Sequence, residues 1–202
     1  MKIKIINFIL IFISIFCSFC YSVNTIINGD IYGTLIRLSI VPIIILPYLL
    51  KKIFKFNIST YSETIYIVFI FLSHFLGSIV NLYKSIYWYD SFTHFLSGIV
   101  VFFYGLEFLI ITNKYDKKDI WFNVLFLMAL SFMVAGLWEI FEFTCDDIFG
   151  KDAQKVIETG VTDTMKDIIM AVLGSSLCAL FYYMEHKEKN KNLFKKFIKN
   201  IK

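Results

Sequence analysis

A chain of 202 residues that is 58% hydrophobic, with a mean hydropathy of +0.69, carries more apolar surface than a soluble domain of its length could bury. Its net charge of +4 does not point to nucleic acid, because the lysines gather in short connections and at the C-terminal end, as orientation signals do. The expected class is all-α: a polytopic transmembrane helix bundle, with no soluble domain, internal repeat or low-complexity linker.

Six apolar runs approach the ~20 residues a helix needs to cross the hydrocarbon. The first, residues 3–21, opens behind Lys2 and Lys4 and reads as a retained helix, since no small-x-small cleavage site follows it. The second, 32–50, is interrupted by Pro42 and Pro47 and is expected to be kinked. The third, 65–82, contains His74. The fourth spans 89–112, the fifth 120–144, and the sixth 163–184 with a polar first turn. A transmembrane domain over 1–186 is thus followed by a basic amphipathic tail, 187–202. In the tail, Leu193, Phe194, Phe197, Ile198 and Ile201 form one helical face, a pattern suited to lying on an anionic leaflet.

Lysine asymmetry fixes the expected orientation. Lys2, Lys4, Lys51, Lys52, Lys55, Lys114, Lys117, Lys118 and the tail lysines fall on one side. Only Lys84, Lys151, Lys155 and Lys166 fall on the other. The positive-inside rule then places both termini in the cytoplasm of a bacterial inner membrane. Trp88 and Trp121 fall at opposite edges, as aromatic belts do.

This topology brings polar residues of three spans to one depth in the outer leaflet. A helix turns ~100° and rises ~1.5 Å per residue, so Glu139, Glu142 and Asp146 form one acidic stripe that begins inside an apolar run. Asp90 and His94 share a face of the fourth span, and Asp163 and Asp167 a face of the sixth. Two like charges ~4 Å apart repel by about 4 kcal/mol at an effective dielectric of ~20, so converging carboxylates need cations or shared protons. The local cations named by this reading are Arg37, Lys166, His94 and His74, a shortage that favours a bound metal. Asp90, His94, Glu139, Glu142, Asp163 and Asp167 are the expected ligands, with His94, Glu139 and Glu142 also placed to handle protons. The expected cofactor is a divalent ion, Mg²⁺, Mn²⁺ or Zn²⁺, with its identity left open by the sequence.

Arg37 is the one arginine in a chain that otherwise uses lysine. It is expected either to hold a phosphate with paired hydrogen bonds or to snorkel to the interface. His74 reads as a packed, hydrogen-bonded histidine. Cys17, Cys20, Cys145 and Cys178 read as small packing residues.

The segments Tyr89-Asp90-Ser91-Phe92-Thr93-His94-Phe95-Leu96-Ser97-Gly98, Trp138-Glu139-Ile140-Phe141-Glu142 and Asp163-Thr164-Met165-Lys166-Asp167 with Gly174 resemble the YjdF-type family of bacterial inner-membrane proteins. More distantly they are similar to VanZ-like proteins, which usually carry Gln where this chain has Glu142. The resemblance covers the last three spans and implies a polytopic membrane protein without supplying a reaction. Three functions fit the residues. One is a metal-dependent hydrolase or transferase acting on a lipid or lipid-linked envelope substrate. Another is an ion- or proton-coupled transporter, for which no inverted repeat or paired broken helices are visible. The third is a structural membrane protein locked by a buried polar cluster.

Overall fold

In the computed structural model, residues 2–55, 58–187 and 193–201 are described, and all their regular structure is helical. Among the described residues, five helices are long and apolar enough to cross a membrane, and a bent pair makes a sixth if taken as one span. The chain is therefore an all-α polytopic membrane protein. It divides into two units, Met1–Tyr89 and Asp90–Lys202.

In the first unit, α1 (Lys2–Ile27) buries a stripe of small polar residues, Asn7, Ser14, Ser18, Ser22 and Thr25, while Phe8, Phe12, Phe16 and Phe19 lie exposed. Small residues let helices approach closely where the surrounding medium is as apolar as the side chains. The proline-bearing run becomes three pieces, α2 (Ile31–Leu38), α3 (Ile40–Ile44) and α4 (Leu46–Phe54), with a 46° bend between Ile31–Ile44 and Leu46–Ile53.

The breaks follow from the prolines. Pro47 has no N–H to give to the Ile43 carbonyl four residues earlier, and the Tyr66 hydroxyl donates to it instead at 2.7 Å. Around Ser39, Ser18 Oγ donates to the Arg37 carbonyl at 2.8 Å, and His74 Nε2 lies 3.0 Å from the Ile36 carbonyl. A carbonyl only accepts, so His74 carries its proton on Nε2. The histidine is a bonded packing residue, as its apolar surroundings suggested.

The third span begins as α5 (Thr60–Ile70) and continues as a π-helical segment, Phe71–Ile79, followed by the short α6 (Leu82–Ser85). The wider turn is closed by Val80 N–H donating to the Phe75 carbonyl at 2.9 Å.

The second unit is built on α7 (Tyr89–Ile111), α8 (Ile120–Phe149) and α10 (Thr162–Lys187), with a one-turn α9 (Val156–Thr159) in the last connection. Phe102, Leu106, Leu127, Cys178, Ala179 and Tyr182 form its core. Two glycines set the approach of α7 to α10. A Cβ built on Gly98 would stand 1.9 Å from the Ala171 carbonyl oxygen, and one on Gly174 would stand 2.0 Å from that of Phe95. Only glycine permits backbones to touch in this way.

At 30 residues, α8 is about 45 Å long, well beyond the ~30 Å of hydrocarbon, so its acidic last turns reach toward the membrane edge. It runs past the expected end at 144 and stops at Gly150, whose φ of +60° closes a left-handed cap.

The tail helix α11 (Leu193–Ile201) buries Phe194 and Phe197 against Phe102, Phe103 and Tyr182. Glu185 caps it, accepting from Phe194 N–H at 2.9 Å and Lys195 N–H at 2.8 Å. The central aromatics of the face expected to meet a lipid surface meet α7 and α10 instead. Protein burial is available to them because Glu185 satisfies the first amides of the helix.

Candidate metal centre

The acidic ends of α7, α8 and α10 meet at one end of the second unit. Asp90 and His94 project from the first turns of α7, and Asp163 and Asp167 from the first turns of α10. Glu139 lies about three turns before the end of α8. The Gly98–Gly174 crossing lies one turn beyond His94 and two turns beyond Asp167, and so fixes the spacing of these two helices at the site.

His94 Nε2 stands 3.5 Å from Asp90 Oδ1 and 3.7 Å from Asp167 Oδ2. Both separations exceed the ~2.7–3.2 Å of an N–H···O hydrogen bond. Both are ion-pair distances, up to a few tenths of an ångström longer than the roughly 3.4 Å between tetrahedral donors ~2.1 Å from a metal, so a small inward closing would bring them round one ion. One donor atom from each of Asp90, His94 and Asp167 lies within 4.8 Å of the others. Asp167 is 2% exposed, and its Oδ1 has no hydrogen-bond partner. A buried carboxylate oxygen left bare is costly, and a cation would satisfy it.

The other three expected ligands have protein partners. Asp163 Oδ2 accepts from Lys155 Nζ at 2.9 Å, and the same ammonium donates to Asp90 Oδ2. Glu139, 5% exposed, accepts from Gln154 Nε2 through Oε2 at 3.2 Å, while its Oε1 has no partner. Glu142 Oε1 accepts from Trp138 Nε1 at 2.9 Å. Glu142 remains close enough to couple electrostatically to Glu139, His94 and Asp90, and Asp167 is coupled to His94, Asp90, Asp163 and Glu139. All six expected residues thus belong to one charged cluster.

Sequence reasoning missed the connection that closes the cluster. Asp146, from the acidic stripe, accepts the amides of Ala153 at 2.8 Å and Gln154 at 3.1 Å. Gln154 also donates to the Glu139 carbonyl at 3.0 Å. Lys155 follows in the left-handed region, φ 51°, and its side chain turns to bridge α7 and α10. The cation shortage inferred from sequence therefore omitted Lys155. Burial alone would lower its pKa, but hydrogen bonds and charge from Asp90 and Asp163 outweigh that and hold the ammonium above the usual lysine range. One lysine against the five acidic side chains of Asp90, Glu139, Glu142, Asp163 and Asp167 still leaves an acidic excess of four.

Arg37 belongs to the first unit. There its Nη1 donates to the Gly33 carbonyl at 2.9 Å, and its Nε is buried without a hydrogen-bond partner.

Comparison with known proteins agrees with the membrane architecture. A protein of Thermotoga maritima whose name is given only as uncharacterized is 29% identical over 142 residues, covering 68% of this chain and 69% of that one. No solved structure matches. A family described as "Predicted membrane protein (DUF2238)" matches residues 6–188. The YjdF-type and VanZ-like names suggested by the three motifs lie outside these matches. With nearly the whole of its length matched, the chain belongs to the DUF2238 family of predicted membrane proteins.

Proposed function

We propose that Asp90, His94 and Asp167 bind one divalent cation on the outer side of a bacterial inner membrane, and that the bound ion acts on a lipid or lipid-linked envelope substrate. The observation that carries this reading is the convergence of His94 Nε2 with one oxygen each of Asp90 and Asp167, all within 4.8 Å of one another, beside the bare Oδ1 of buried Asp167. Two oxygens and one imidazole nitrogen suit Mn²⁺ or Zn²⁺ better than Mg²⁺, which prefers oxygen and water. Three protein ligands leave positions for water and for a substrate oxygen. A divalent ion held by Asp90, His94 and Asp167 would supply Lewis-acid chemistry, which suits a hydrolase or transferase.

In this reading Glu139 and Glu142 take or return protons, and Asp163 keeps Lys155 in place. The resemblance of the three motifs to YjdF-type and VanZ-like proteins supports an envelope setting.

The test is elemental analysis of purified protein after loading with Mn²⁺ or Zn²⁺ and gel filtration. One ion per chain is expected, lost in His94→Ala and Asp167→Asn and kept in Asp147→Ala. Wild-type protein holding no metal above the buffer background would overturn the proposal.

A further inference from the structure

An open cleft of about 400 Å³ borders the charged cluster. Its walls are Ile140 and Phe143 of α8 with Val156 and Val161 of the following connection, and Glu139 and Gln154 supply its polar side. The volume lies within the ~300–1,000 Å³ of small-molecule sites.

Three features say what medium fills it. Ile140 and Phe143 are exposed apolar side chains on a helix long and apolar enough to cross a membrane, so the space before them suits hydrocarbon better than water. Val156, Ile157 and Val161 are also strongly exposed, although they lie on a connection between spans, where exposed side chains are normally polar. An apolar lip of this kind is stable at the membrane interface and costly in water. At the polar side, buried Glu139 keeps one oxygen, Oε1, with no hydrogen-bond partner. A buried acceptor of this kind calls for a donor.

We infer that this cleft is a lipid site: one hydrocarbon chain enters sideways from the bilayer between Phe143 and Val161, and the lipid's polar end lies at Glu139 and Gln154. Glu139 Oε1 is itself covered, so a hydroxyl of that polar end would reach it after a small displacement of the side chain. The inference rests on the proposed metal site only for what happens to the polar end. Chain binding itself needs the apolar walls and not the ion.

The experiment uses the full-length protein in vesicles of phosphatidylethanolamine and phosphatidylglycerol, with a trace of phosphatidylglycerol carrying a diazirine in its acyl chain. After illumination, labelled residues are mapped by peptide mass spectrometry, and metal content is measured on the same samples. Labelling should concentrate on Ile140, Phe143, Val156 and Val161, above that on Leu173, Leu177 and Leu180, the ordinary exposed face of α10. Val161→Trp and, separately, Ile140→Trp fill the cleft from exposed positions. Each should lower the labelling about tenfold, the factor that accompanies roughly two methylenes of lost chain burial. His94→Ala should keep the labelling while losing metal. Labelling no stronger than on the α10 face, or unchanged by both tryptophans, would overturn the inference. Labelled protein without metal would sink the metal proposal and leave the cleft standing. Metal-bound protein without cleft labelling would do the reverse.

Discussion

Gly174→Ala is the sharpest probe of how the helix crossing sets the site. The new Cβ would lie 2.0 Å from the Phe95 carbonyl oxygen, where ordinary contact begins at 3.4 Å, a shortfall of 1.4 Å. The obstacle is backbone, so no side chain can swing aside, and α7 and α10 must part by about that distance. Overpacking of this kind costs about 1–3 kcal/mol, against at most ~1 kcal/mol regained from helix propensity. The separation appears two turns away, where His94 Nε2 and Asp167 Oδ2, now 3.7 Å apart, would move beyond the reach of one ion. Metal loading should therefore fall at least as clearly as thermal stability in detergent. Gly136→Ala is the control, because its Cβ would meet nothing within 4 Å. If Gly174→Ala matched wild type in melting temperature and metal content, the crossing would not be what spaces the site.

Removing the bridge with Lys155→Met should destabilise the second unit by about 1–2 kcal/mol; the value lies between exposed and buried ion pairs because the side chain is 36% exposed. The folded-state pKa of Lys155 lies above its unfolded value of ~10.4, so the bridge is fully present below that pH and is lost only as pH rises through the folded value. Melting temperature should accordingly show no Lys155-dependent loss between pH 7 and pH 9, checked as the difference between wild type and Lys155→Met. Glu185→Ala should free α11 at a cost of about 1–2 kcal/mol, from two lost amide acceptors, and should speed proteolysis after Lys195. A cysteine placed at Ala153 in a cysteine-free background should react with an impermeant maleimide on whole spheroplasts. Reaction only after the inner face is exposed would reverse the orientation and the outer-side assignment with it.

Much of the architecture was readable because a membrane imposes it. Apolar runs of fixed length gave the spans, and i,i+4 spacing correctly put Asp90 with His94 and Asp163 with Asp167. The antiparallel order of the last three spans brought those pairs together without any knowledge of packing. Lys155 and Gln154 were not readable, since their roles depend on a connection whose path is set by Asp146 and by a positive φ at Lys155. Neither leaves a periodic signal. The prolines announced a disturbance in the second span, but not that Tyr66, Ser18 and His74 would supply the missing donors from other helices. The tail pattern gave the amphipathic helix correctly and not its occupant, because a face that suits lipid also suits an aromatic core.

The Lys155 bridge also bears on how the chain is made. Asp90 enters the membrane with the fourth span, long before its counter-ion is synthesised, and Asp163 follows its counter-ion by only eight residues. During synthesis the fourth and fifth spans therefore carry acidic groups that no lysine of the finished cluster yet offsets. Each such group near the apolar region adds up to ~2.5–3.5 kcal/mol to the cost of leaving the insertion machinery. A chain that stops short of the last connection therefore leaves Asp90 without the ammonium it pairs with in the finished fold, and one that includes it can close the cluster.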